Sequence, residues 1–261
     1  YFYFYSIISG FRMYKKISAS FYHLFFLKKQ IISYLEIVKK IQRSILVILL
    51  LGSIYPSFAL EISRSDILLN IATQCINPKT QNYCNQCVSP RIDSSCGNPQ
   101  DCKNTTEVWS ENEQFVSIRD IKMCGCSKDF IHGLAMPRSE VTGVEDIRRQ
   151  EEIWQFAWET SKKIIEPDLI ALVVNPKSHR SQNQLHVHLV RIDPKVKNKF
   201  NAYIFTYVKN LDHVWETAGK LAAKNSLIDY GILVTRATSN QFTVLITPNS
   251  PESEFTIWKC N

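Results

Sequence analysis

Residues 183–192 read Asn-Gln-Leu-His-Val-His-Leu-Val-Arg-Ile, and few conformations suit such a run. Polar and apolar residues alternate with period two, which predicts a β-strand. Residues two apart on a strand share a face. Gln184, His186 and His188 then project to one side, and Leu185, Val187 and Leu189 to the other. Three uses of the paired imidazoles follow from their chemistry. They can be half-exposed residues of an amphipathic strand. They can offer two nitrogens to a metal such as zinc, with His179 or His132 as a third ligand. Or one ring can attack phosphorus while the other positions or protonates the oxygens around it.

The residues just upstream weigh on that choice. The run 169–175 is apolar and ends at Asn175-Pro176, as a buried strand entering a turn would. Lys177, Ser178, His179, Arg180, Ser181 and Gln182 follow as a short loop of cations and hydroxyls. Strand, cationic loop and His-x-His strand together predict a hairpin whose loop folds over an anion. Its Lys and Arg would supply charge, and its hydroxyls and N–H groups would supply donors. A zinc site would want a further His, Cys or carboxylate nearby, so the loop favours phosphate.

On Val173-Val174-Asn175 and on Ser181 through Leu189 the chain resembles the histidine-triad (HIT-like) superfamily, and within it the bacterial CDP-diacylglycerol pyrophosphatases. A Met136-Pro137 step before a Trp-rich helix, Tyr230–Val234 and Ser239–Phe242 extend the likeness, which spans roughly residues 66–261. The resemblance implies an antiparallel HIT-like sheet with packed helices. It also implies hydrolysis of CDP-diacylglycerol to CMP and phosphatidate through a nucleotidyl-histidine, with no cofactor and no metal. His186 falls on the middle, nucleophilic position and His188 on the third. Gln184 stands where the family pattern His-x-His-x-His has its first histidine; its amide still donates and accepts hydrogen bonds. Asn175, Ser181, Gln184, Lys177 and Arg180 are the expected substrate-binding residues, with Asn175 holding the loop. The implied partners are the lipid substrate and a membrane surface. Oligomeric state stays open, a dimer among the options.

Charge is distributed unevenly. Residues 1–59 hold 8 Lys or Arg against one acid, Glu36. Removing these from totals of 31 and 24 leaves 23 of each in the remainder, which excludes a strongly basic face for nucleic acid. Lys39, Lys40 and Arg43 precede the apolar run Ser44–Gly52, and Ser57-Phe58-Ala59 closes it with small residues. That layout predicts a secretory leader over 1–59, cleaved or kept as an anchor, and a chain that is periplasmic or held at the bacterial inner membrane. The aromatic-rich residues before Tyr34 begin without Met and are expected to lie upstream of the true start.

Seven of the eight cysteines fall between Cys75 and Cys126, and the eighth is Cys260. In an exported chain this predicts disulfides over a zinc knuckle built on Cys84, Cys87, Cys124 and Cys126. Since seven is odd, full pairing requires Cys260 to tie the tail back to the N-terminal block. The segment 77–113 has loop composition and is expected to be a stapled excursion. Further expected elements are strands at 115–121 and 130–137, a helix over 144–165 with Trp154 and Trp158 in the core, a helix over 213–224, and a hairpin of 231–236 with 241–247. Lys195, Lys197 and Lys199 form a solvated basic surface or meet anionic lipid. The sum is an α+β domain over residues 60–261. A zinc-dependent hydrolase and a secreted nucleotide- or lipid-binding protein with a degenerate triad are the alternatives.

Overall fold

The computed structural model describes residues 65–77, 79, 102–197 and 199–260, with single positions at 36, 39 and 42. The chain divides into units Tyr1–Ile62 and Ser63–Asn261, and the fold is that of the second. The apolar run and small residues from which a leader is expected lie outside the described residues, as do Cys84, Cys87 and Cys96.

Eight strands form one antiparallel sheet: β1 (Val108–Glu111), β2 (Phe115–Arg119), β3 (His132–Pro137), β4 (Ile170–Val174), β5 (Val187–Arg191), β6 (Ile204–Val208), β7 (Gly231–Thr238) and β8 (Gln241–Thr247). Their order across the sheet is β1-β2-β3-β5-β4-β7-β8-β6. Among the described residues five helices accompany them: α1 (Ile67–Asn70), prolonged by one wider turn over Ile71–Cys75, α2 (Glu152–Ser161), α3 (Pro194–Lys197), α4 (Val214–Lys224) and α5 (Pro251–Phe255). The expected α+β class is therefore what forms.

One face of the sheet packs Leu172, Val187, Leu189, Ile232 and Ile246 against α2 and α4. Trp154 meets Trp215 at 4.7 Å between ring centroids, and Trp158 meets Phe242 edge-on at 4.9 Å. Such pairs add about 0.5–1.5 kcal/mol beyond the area they bury. The opposite face carries two apolar patches. Leu68, Ala72 and Ile76 cover Val116, Ile118, Leu134 and Met136. Phe200 and Phe255 cover Val173, Val190, Leu233 and Leu245. Pairing sets His188 opposite Leu134 and His132 opposite Val190, so both imidazoles lie where the patches meet.

Several expectations are corrected. Residues 108–111, inside the segment read as loop, form edge strand β1. Its apolar Val108 and Trp109 are too short a run to stand out among polar neighbours, and pairing with β2 decides the conformation. The helix expected from 144 starts only at Glu152. Upstream, the Asp146 carboxylate accepts from the backbone N–H groups of Thr142 and Arg148 and turns the chain. Ile147, which had fitted the helical stripe, is 92% exposed. Strand β6 and helices α1 and α5 had no counterpart in the sequence pattern.

Cys102 pairs with Cys124, and Cys126 with Cys260, so the tail is tied back as parity required. Cys75 is also disulfide-bonded, to a partner outside the described residues. Among the described residues no helix is long and apolar enough to cross a membrane.

Candidate active site

His186 lies just ahead of β5, half-buried, on a wall whose reverse side is the packed Leu185, Val187 and Leu189. Its Nδ1 sits 2.8 Å from the Gln184 carbonyl oxygen. A carbonyl only accepts, so Nδ1 carries the proton and donates. The lone pair is then on Nε2, which has no hydrogen-bond partner among the described residues. Burial pushes the pKa of His186 below the ordinary imidazole value of 6.5, although the Gln184 carbonyl and the Glu252 and Asp120 carboxylates pull the other way. The ring is neutral near pH 7 with one nitrogen fixed as donor and the other open.

His188 stacks edge-on against His186 at 4.8 Å and is itself buried. Its Nδ1 lies 2.9 Å from His132 Nε2 on β3, and its Nε2 lies 3.5 Å from Glu252 Oε2 on α5. Among the described residues, His132 Nδ1 is buried without a partner. An orphaned N–H there would cost about 1–3 kcal/mol, more than an unused lone pair. His132 therefore carries its proton on Nε2 and donates to His188 Nδ1, and His188 Nε2 lies between Asn175 Nδ2 at 3.4 Å and Glu252 Oε2 at 3.5 Å. Burial, reinforced by the neighbouring imidazole and by Lys122, holds the pKa of both His132 and His188 far below the usual range.

Three acidic and basic groups close this cluster. Lys122 Nζ donates to Glu252 Oε1 at 2.8 Å. Asn175 Nδ2 donates to Glu252 Oε2 at 2.7 Å, and Asn175 Oδ1 accepts from Ser250 Oγ at 2.8 Å. Burial works against the Glu252 charge, but Lys122, His132 and these donors outweigh it and lower the carboxyl pKa. Asp120 shifts upward, chiefly through burial, although its carboxylate accepts the Lys122 backbone N–H. No local motif marks Asp120, Lys122 or Glu252; they arrive from the β2–β3 connection and the tail.

Among the described residues the cluster able to hold a metal ion is His132, His188 and Glu252, whose ligand atoms lie within 4.8 Å of one another. His186 is not part of it, unlike the zinc set read from sequence. The donor set is chemically suitable for zinc. Yet the Lys122 ammonium already occupies Glu252 Oε1, and the two imidazoles satisfy one another directly. The group is complete as a charge-paired network.

The other expected residues divide. Ser181 lines a cavity of about 320 Å3 with His186, His188, Asn175, His179 and Arg180. Lys122, Glu252, Ser250 and Trp258 form its other side. Arg180 is there but committed to a two-pronged ion pair with Glu145, and a side chain at Gly143 would collide with its guanidinium. Gln184 is corrected: its side chain is fully buried, donates to the carbonyls of Pro137 and Ser139 at 2.8 Å each, and accepts from Val141 N–H. It ties down the turn after β3 instead of facing a ligand. Lys177 is corrected too, since it lines no part of this cavity. Its backbone N–H and that of Ser178 bond the Asp229 carboxylate, so neither is offered to an anion. Asn175 holds Glu252 rather than the loop.

Against this geometry, the model of the CDP-diacylglycerol pyrophosphatase family matches residues 82–254, about two thirds of the sequence. The chain belongs to that family. No curated protein sequence matches it. Membership in the CDP-diacylglycerol pyrophosphatase family makes the chain a phosphoanhydride hydrolase. The match spans β1 through most of α5, and so takes in every residue of the imidazole and carboxylate cluster. In this pyrophosphatase the wall carrying His186 and the wall carrying Lys122 and Glu252 face the same cavity.

Proposed function

We propose that this enzyme cleaves the phosphoanhydride of CDP-diacylglycerol in two displacements on His186. The observation that carries the reading is the His186 Nδ1–Gln184 carbonyl hydrogen bond, which leaves Nε2 unprotonated and open. Nε2 attacks the α-phosphorus of the nucleotide. The Nε2–P bond forms, the bond from phosphorus to the bridging oxygen breaks, and phosphatidate departs with that electron pair. Water then attacks the same phosphorus, the P–Nε2 bond breaks, its electrons return to the ring, and CMP leaves while the proton of the water passes to solvent.

Lys122 supplies positive charge to the phosphate oxygens and Ser181 a hydroxyl, while Arg180, paired with Glu145, borders the cavity. His188 keeps its place through His132 and Glu252 and forms a neutral wall beside the attacking ring. Trp258, half-buried in the cavity wall, is the aromatic surface for the cytosine. The disulfides support export to an oxidising compartment, periplasmic or at the inner-membrane surface.

The test is direct. Enzyme mixed briefly with CDP-diacylglycerol and quenched without acidifying below the stability of a P–N bond should carry one cytidylyl group, and peptide mapping should place it on His186. An unmodified chain during steady turnover, or a cytidylyl group on another residue, would refute the covalent route.

A further inference from the structure

A second cavity of about 370 Å3 shares a wall with the first. Lys122, Ser181, His186 and His188 belong to both. The remainder of its lining differs in character. Six of its residues are large aliphatics, Ile67, Leu68 and Ile71 from α1 and its prolongation and Ile118, Ile121 and Leu134 from the β2–β3 region; Lys103, Thr105, Thr106, Arg119, Asp120 and Gln182 complete it. The first cavity, by contrast, is bordered by Ser250, Ser253, Asn175, Glu252 and Trp258.

We infer that this second cavity is the seat of the acyl chains on the phosphatidyl half of the substrate, so that lipid and nucleotide lie on opposite sides of the His186 ring. The inference rests on the proposed phosphoanhydride reading. Three observations favour acyl chains as occupant. The cavity is lined by the attacking ring itself, so a chain seated there reaches the phosphate under attack. Ile67 and Ile121, 61% and 62% exposed, line the same cavity as Ile71, so its edge is a contiguous aliphatic lip and not a lone exposed residue. The cation at the junction, Lys122, stands where the leaving phosphate must sit if chains run one way and nucleoside the other.

The local fold explains how the lip is held. Ser65 bridges Gln182 in parallel fashion: Ser65 N–H donates to the Ser181 carbonyl at 2.9 Å and Asn183 N–H to the Ser65 carbonyl at 3.0 Å. That clip hangs α1 beside the loop preceding His186. Leu68, Ala72 and Cys75, spaced four and three apart, turn onto the sheet, which leaves Ile67 outside the packed patch. On the other lip, the Asp120 carboxylate caps the turn Ile121–Met123 and fixes Ile121 outward. A purely soluble nucleotide substrate would give neither isoleucine anything to bury against.

The experiment uses the full chain and the double variant Ile67→Gln, Ile121→Gln, both at exposed positions where folding survives. Two substrates are offered: dipalmitoyl CDP-diacylglycerol in nonionic detergent micelles, and CDP-glycerol, which has the same phosphoanhydride and no chains. The double variant should lose about tenfold in kcat/KM on the lipid, through KM, while CDP-glycerol turnover stays within about twofold. Lipid turnover unchanged, or both substrates falling together, overturns the assignment. Should wild-type protein cleave neither substrate, the hydrolytic reading has failed and the cavity is judged by labelling instead. A phosphatidate with a photoreactive acyl chain should then cross-link within residues 67–71 and 118–121, and labelling elsewhere overturns the proposal on its own.

Discussion

The wall of the site carried by β5 and the wall carried by the β2–β3 connection and the tail are held in place by different means. His188 stands on a strand hydrogen-bonded on both sides and His186 immediately before that strand's first residue, with Leu185, Val187 and Leu189 packed behind them. Lys122, Glu252 and Trp258 stand on short turns whose positions are secured by covalent and ionic ties. Cys126 binds Cys260, two residues beyond Trp258, and Lys122 grips Glu252 across 130 residues of chain. A central strand fixes the attacking atom within tenths of an ångström, because moving it would break a ladder and a core together. A disulfide-tied turn fixes charge less rigidly, which electrostatic stabilisation tolerates because it falls off slowly with distance.

That contrast can be broken at its strong end first. His186→Ala should lower CMP release from CDP-diacylglycerol by at least about a thousandfold with the fold intact, because the attacking nitrogen is gone. Circular dichroism and turnover of the purified variant check both halves. Lys122→Met, on the opposite wall, should lower kcat by about 10- to 100-fold, less than a fully buried donor would, because the ammonium is partly solvated. If Lys122→Met proved as severe as His186→Ala, the two walls would not differ in the way described.

Severing the tie sharpens the comparison. Cys126→Ser with Cys260→Ser should cost about 2–5 kcal/mol in denaturant unfolding. KM should rise several-fold by loosening Trp258, while the cytidylyl adduct on His186 still forms. Loss of the adduct would show that the tail also positions the strand.

A pH profile separates the walls next. His132, His186 and His188 have folded-state pKa values below 6.5. The unfolded chain therefore takes up protons first as pH falls through that value. Stability is full above about pH 6.5 and declines below it, and the lowered Glu252 pKa adds to the loss further down. Raised Asp120 opposes this in the carboxylate range. The acid limb of kcat/KM should fall below 6.5, where His186 finally protonates; a limb above 6.5 would contradict a neutral buried ring. The smallest effect belongs to Lys177→Ala, expected within about twofold of wild type since its loop bonds Asp229 through the backbone. A large loss there would return the loop to the role its composition first indicated.

Much of the β5 wall was legible in the chain because strand periodicity is local: the alternation of 183–192 alone puts His186 and His188 on one face. The same reading extended the strand over Gln184, which lies in the bend before β5 and turns into the backbone of the Pro137–Val141 turn. Period two gives a side and not a partner. Loop composition likewise showed cations at 177 and 180 but not that Asp229 and Glu145 would claim the first loop's N–H groups and the second's guanidinium.

The sequence by itself determined the antiparallel hairpin around the cationic loop, the apolar backing of the two imidazoles, and, through the parity of eight cysteines, a tail fastened to the N-terminal block. Only the tertiary structure decided that Lys122 and Glu252 meet, that His132 orients His188, and that an apolar cleft opens beside the attacking ring. The first two join residues 130 and 56 positions apart, and the third sets residues 67–71 beside 118–134; such encounters are set by strand order and packing, quantities that no local period encodes.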